Sequence, residues 1–202
     1  MPRARKLDPD TALEAALGVF WRKGFEGASY ADLVEATGAE RPALYALFGN
    51  KQALFMRALE RYDTHYGKYV GEAIALPTAR QVAVRFLEGA VELSTRFPDR
   101  LGCLGVNGAL AASDDAEEAR LALIDWRSTG QVALRDRFAH AIEAGDLPTD
   151  AQPTVLAGFL LAMAHGLAVQ AKAEFPHDVL TAIVDQALQG WPRGDEPKID
   201  DR

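Results

Sequence analysis

Residues 24–54 read GFEGASYADLVEATGAERPALYALFGNKQAL, and their caps and breakers decide the fold. Ser29-Tyr30-Ala31-Asp32 places a hydroxyl and a carboxylate three apart, the spacing of a capping box, so a short helix starts there and carries Leu33 and Val34. Thr37-Gly38 closes it, because glycine enters the left-handed region at a helix end without steric cost. A second short helix spans about Arg41 to Leu47, with Pro42 tolerated in its first turn. After Phe48-Gly49, Asn50 caps a long helix bearing Leu54, Phe55, Ala58, Leu59 and Tyr62. Upstream, Asp8 and Pro9 open a helix that sets Leu13, Ala16, Leu17, Phe20 and Trp21 on one face and ends at Gly24. Two short helices joined tightly and wedged by an amphipathic one make a helix-turn-helix.

The rest of the chain is also helical. Strand alternation is missing, no Asn-Gly or Asp-Gly hairpin sits between alternating runs, and alanine is abundant. Pro77 breaks the long helix. Val82, Phe86, Ala90 and Leu93 stripe the next one, which stops at Phe97-Pro98. A short helix over 102–112 follows, then one capped by Ser113-Asp114 that reaches Ala144-Gly145. Two more run from about Asp150 to Phe175 and from Val179 to Trp191. The expectation is an all-α chain of about nine helices: a helix-turn-helix domain over 1–52, a second helical body over 53–191, and a charged flexible tail over 192–202.

The outer face of the 41–47 helix has little apolar content, so Arg41, Pro42, Tyr45 and Ala46 are free to meet a partner. The Ser29 hydroxyl, the Tyr45 phenol and Lys51, beside the amides of a helix start, suit a phosphate. On Gly24-Phe25, Ser29, Leu33-Val34, Thr37-Gly38, Ala43-Leu44-Tyr45, Phe48, Gly49-Asn50-Lys51 and Leu54-Phe55, the segment resembles the DNA-binding domain of TetR/AcrR-family transcriptional regulators. The resemblance implies a recognition helix at 41–47 lying in the major groove of a double-stranded operator, with Tyr45 and Lys51 gripping phosphates. Two positions depart from the family pattern. Glu40 stands where Ser or Thr is common and repels phosphate unless it accepts from a cytosine amino group, and Ala46 suits a thymine methyl rather than a hydrogen bond. The basic residues Arg3, Arg5 and Lys6 form an arm that either follows the backbone or enters the minor groove, or else is simply solvated.

By the same resemblance, residues beyond about 55 bind a small-molecule effector and dimerise, and prevalence in the family favours a repressor. The helix from about 150 is apolar nearly all round, and a helix hydrophobic on every face needs cover on every face. A homodimer packed through the last two helices supplies it, with Gly158, Ala162, Val169, Leu180, Ile183, Val184, Ala187 and Leu188 at the interface. Phe86, Cys103, Asn107, Trp126, His165 and Gln170 are polar or aromatic groups on otherwise apolar helices, and as a set they suggest a mostly apolar effector cavity. Cys103, three residues after Arg100, offers an alternative: an oxidant- or electrophile-sensing thiol.

Other classes fare worse. The four histidines lack metal-ligand spacing, and neither a nucleophile elbow nor a phosphate-cradling glycine loop occurs, so no metal, cofactor or enzymatic activity is expected. An all-helical carrier without DNA binding is the rival. No secretory leader, lipidation motif or clean spanning segment is expected, which reads as cytoplasmic with no membrane partner. The net charge of −7 seems to disfavour nucleic acid until it is divided. Residues 1–52 hold seven basic and seven acidic residues, and residues 53–202 hold 15 basic and 22 acidic, so the whole excess lies outside the helix-turn-helix.

Overall fold

In a computed structural model describing residues 8–108 and 113–194, Asp8 accepts from the Thr11 amide at 2.9 Å and opens α1 (Pro9–Gly27). Gly24 interrupts α1 at φ 69°, ψ −179°, and the extra turn beyond the expected end carries Phe25 into the core. Ser29 and Asp32 form the expected capping box at the start of α2 (Tyr30–Thr37). Gly38, at φ 65°, ends it. Then come α3 (Arg41–Phe48) and α4 (Lys51–Tyr66), whose cap Asn50 accepts from Ala53 at 2.8 Å. Phe20 and Phe25 meet Phe55 edge-on at 5.2 and 5.3 Å, and Trp21 meets Tyr62 at 4.7 Å. Full burial of each such ring stabilises by about 1.5–3 kcal/mol.

The chain forms two compact units. The first runs through Gly67 and takes in Cys103–Asp125; the second comprises Lys68–Gly102 and the chain from Trp126 onward. The first thus extends past the boundary expected at residue 52, because Leu54, Phe55, Ala58, Leu59 and Tyr62 bury α4 against α1. It also holds α7 (Leu104–Asn107), where the Asn107 side-chain amide donates to the Trp21 carbonyl at 2.6 Å. Most of the continuation expected for this short helix (109–112), the basic arm (Arg3, Arg5, Lys6) and residues 195–202 of the tail lie outside the described residues.

The second unit begins with α5 (Lys68–Ile74), split from α4 where the Gly67 amide turns back to Tyr62 and Asp63. The described residues therefore hold ten α-helices rather than about nine. Thr78 and Gln81 cap α6 (Ala79–Thr95), and the Asp146 carboxylate accepts from the Ala79 amide. Arg137, on α8 (Glu117–Glu143), ties down the α5–α6 turn by donating to Ile74, Leu76 and Pro77 carbonyls at 3.2, 2.9 and 2.9 Å. Both α9 (Pro153–Lys172) and α10 (His177–Leu188) pack on α6 around Val82, Phe86, Leu87 and Ala90.

That packing sorts the residues expected at the dimer surface by what their own chain already covers. Leu180, Val184 and Leu188 are buried in the unit's own core, so the α10 stripe is spent on α6 and cannot also serve a partner; Ile183 leans on the same core and Ala187 is half-buried. On α9, Ala157, Leu160, Ala164 and Leu167 face inward. The opposite face is open: Val155 is 60%, Phe159 37% and Val169 53% exposed, with Ala162 and Gly166 exposed between them and Gly158 half-buried. By length and mean hydropathy (1.6 over its most apolar window) α9 also reaches what a membrane-spanning helix needs, which His165 does not prevent. Its inward face is nevertheless matched to α6.

Candidate nucleic-acid interface

Leu44 and Phe48 are buried, which fixes the roll of α3 and turns Arg41, Pro42, Tyr45 and Ala46 outward, all four exposed. Tyr30 stands at the first position of α2 and ties this face together. Its ring stacks on Tyr45 with centroids 5.6 Å apart and planes 25° from parallel. The Arg41 guanidinium carbon lies 3.9 Å from the Tyr30 centroid, and its Nη2 donates to the Tyr45 hydroxyl at 3.1 Å. The Tyr45 hydroxyl donates to Tyr30 Oη at 2.7 Å, and the Lys51 backbone amide donates to the same oxygen at 3.3 Å. One oxygen therefore joins the starts of α2 and α4 to the middle of α3. Burial, and then its bond to Tyr45, raise the Tyr30 pKa above the ordinary tyrosine value, so it stays protonated.

Lys51 is held differently. Its ammonium sits 4.5 Å from the Phe25 ring centroid, and burial lowers its pKa despite the carboxylates of Glu26 and Asp32. Ser29 departs from expectation. Its hydroxyl donates to Asp32 Oδ2 at 2.8 Å and accepts from the Asp32 amide at 3.1 Å, and its own amide also goes to Asp32 at 2.9 Å. Ser29 thus spends its proton on the capping box rather than offering it to phosphate. The Lys23 ammonium, bonded to Asp32 at 2.6 Å, and then the Ser29 donors hold that carboxyl far below the usual carboxylate range. Glu40 caps α3 through its backbone alone, leaving an exposed carboxylate. Tyr30 was not among the residues singled out from sequence; only its place one residue after an N-cap, fifteen before another tyrosine, hinted at it.

The six residues expected around an effector are not gathered as one set in either unit. Cys103 and Asn107 belong to the first, where the thiol accepts from Tyr62 Oη at 3.6 Å and Asn107 is committed to Trp21. Phe86, Trp126, His165 and Gln170 belong to the second. Phe86 is a core residue packed on Tyr69, Gln170 is exposed, and Trp126 and His165 are half-buried. Burial, then the Arg127 charge, lowers the His165 pKa. Among the described residues no three His, Cys, Asp or Glu side chains converge as a metal site would require.

Residues 12–58 match the family of bacterial regulatory proteins, tetR family, and residues 83–187 match a tetracyclin repressor-like C-terminal domain. The chain is 30% identical to the HTH-type transcriptional repressor ComR of Escherichia coli K12, over 94% of this chain and 91% of ComR. It is 28% identical to the repressor BdcR of the same strain, over 93% and 90%. A solved structure of the TetR family transcriptional regulator CifR, a cysteine mutant complexed with 26-bp double-strand operator DNA, is 40% identical with a TM-score of 0.87, over 94% of this chain and 100% of that one.

Proposed function

The chain belongs to the tetR family of bacterial regulatory proteins and is a DNA-binding transcriptional regulator; from that premise we propose that it is a homodimeric repressor released by a small, mostly apolar effector. The observation that carries the DNA-facing half is the roll of α3, which buries Leu44 and Phe48 and presents Arg41, Pro42, Tyr45 and Ala46 together. Helix N-terminal residues read base edges in the major groove, so Arg41 meets bases and Lys51 meets a backbone phosphate, while Tyr45, whose hydroxyl donates to Tyr30, lies beside them and accepts from Arg41. The open α9 stripe of Val155, Phe159, Ala162, Gly166 and Val169 supports the dimer, since an apolar helix face of this length calls for cover. Two copies place two recognition helices on half-sites about 34–36 Å apart, hence a palindromic operator. The second unit, built from α5, α6, α9 and α10 with the later part of α8, is the effector-binding body. An effector there needs a coupling of only about 1–3 kcal/mol to release DNA.

Mobility shift of the intergenic DNA beside the protein's own gene tests this. A specific shift that weakens with salt is expected, with Lys51→Ala weakening binding across all sequences and flattening the salt slope by about 1. Arg41→Ala instead changes which base is preferred, at about 1–3 kcal/mol per half-site. Absence of a specific shift, or two substitutions without effect, overturns the reading.

A further inference from the structure

The geometry points to Tyr30 as a specificity-positioning residue: its ring is the platform that presents the Arg41 guanidinium edge to the operator, and without it Arg41 discriminates bases less sharply. The inference rests on Arg41 reading bases. A guanidinium has five N–H groups along its edge and a flat, weakly hydrated face. Here the face is covered by the Tyr30 ring at 3.9 Å and one N–H is fixed on Tyr45 Oη at 3.1 Å. Two constraints set the plane and one in-plane direction, so the remaining edge has a defined aim before DNA arrives. A free arginine surrenders considerable rotamer freedom on binding, and a guanidinium already stacked surrenders less.

The platform is itself anchored. Tyr30 Oη accepts from Tyr45 and from the Lys51 amide, so three helices locate the ring that locates Arg41. The arrangement also separates two roles of one side chain. The ring holds Arg41; the hydroxyl holds Tyr45 and the start of α4. Tyr30→Phe keeps the first and loses the second, whereas Tyr30→Leu keeps bulk at a half-buried position but loses both.

The experiment is selection of binding sites from an operator library randomised at every position, run on the full-length wild type, Tyr30→Leu, Tyr30→Phe, Arg41→Ala and the Tyr30→Leu/Arg41→Ala double variant, with melting curves to establish that each is folded. The base position at which Arg41→Ala flattens the preference identifies what Arg41 reads. Tyr30→Leu is expected to weaken the preference at that same position, lowering discrimination there by about 2- to 5-fold per half-site, the worth of an exposed cation–π contact. Tyr30→Phe retains the preference while binding all sites more weakly, and the double variant discriminates no worse than Arg41→Ala alone. If Arg41→Ala flattens a position that Tyr30→Leu leaves intact, the platform is refuted and Arg41 still reads DNA. If Arg41→Ala flattens no position, the reading of α3 that underlies it fails too. A Tyr30→Phe variant as degenerate as Tyr30→Leu refutes the ring's role in favour of the hydroxyl.

Discussion

Substitution of Gly24 tests how tightly the first unit fixes the ground beneath its DNA-facing surface. At φ 69° and ψ −179° the backbone occupies a region that only glycine enters freely, and any L-residue forced there carries about 1–3 kcal/mol of strain. A Cβ at this position lies 2.9 Å from the Asn107 carbonyl oxygen. That oxygen is backbone, and Asn107 is held by its side chain to the Trp21 carbonyl at 2.6 Å, so the neighbour has little room to give. Overpacking of this kind costs about 1–3 kcal/mol more. Gly24→Ala is therefore expected to cost about 2–6 kcal/mol, roughly 4–24 °C in melting temperature for a chain of this length. Two controls grade the scale. Gly38 is left-handed (φ 65°, ψ 16°) but a Cβ there meets nothing within 4 Å, so Gly38→Ala costs about 1 kcal/mol. Gly18 lies inside α1 in open space, and Gly18→Ala stabilises by about 0.5–1 kcal/mol. Thermal and denaturant unfolding followed by circular dichroism gives the order. A Gly24→Ala protein no less stable than Gly38→Ala refutes both the strain and the contact. Operator affinity checks the consequence, because Phe25, the next residue, carries the ring under Lys51.

Three further outcomes follow from the same structure. Phe159→Glu and Val169→Glu, on the open face of α9, convert the dimer to monomer in size-exclusion chromatography with light scattering, whereas Leu180→Ala costs about 2–5 kcal/mol of core stability instead; charged variants that stay dimeric place the interface elsewhere. Because burial holds the His165 pKa below 6.5, the unfolded chain takes up that proton first; the stabilisation is complete above pH 6.5 and is lost as the pH falls below it. Denaturation midpoints at pH 7.5 and 5.5 should drop more for wild type than for His165→Gln, and equal drops dismiss the idea. N-ethylmaleimide on Cys103, the chain's single cysteine, adds bulk where Tyr62 donates to the thiol and presses Tyr62 against Trp21, so it weakens operator binding of wild type and spares Cys103→Ser; equal sensitivity of the two means the thiol is not coupled to this core.

The helix-turn-helix was legible because its signals are local. Ser29 with Asp32, Gly38, Pro42 and Asn50 each act within three residues, and each behaves as its chemistry demands. The Arg41–Tyr45 bond also lies within one helix turn, but Tyr30 joins it only after α2 and α3 have docked, which no residue spacing encodes. The packing of the last two helices was half-legible for a related reason. An apolar stripe says that a face wants cover, not which neighbour covers it, and the α10 stripe finds α6 within its own chain. Ser29 shows the converse: a hydroxyl at the right place for phosphate was already claimed by the capping box that makes the helix start there.

The acidic excess takes on a definite role once four cations of the first unit, Lys23, Arg41, Lys51 and Arg61, are followed to what holds them. Lys23 is spent on Asp32, and Arg61 on Asp10 and Glu14, so these contribute little net field toward a phosphate backbone. Arg41 and Lys51 are held instead by rings, Tyr30 and Phe25, which orient a cation without neutralising it. A dimer of formal charge about −14, twice the −7 of one chain, is not drawn to DNA from a distance. It binds through local contacts of a few ring-held cations, and at ordinary ionic strength charges more than about 10 Å away are largely screened from such contacts. Weak non-specific attraction then follows from the same charge distribution that permits specific contact, and discrimination falls to the aimed edge of Arg41 and the face of α3 around it.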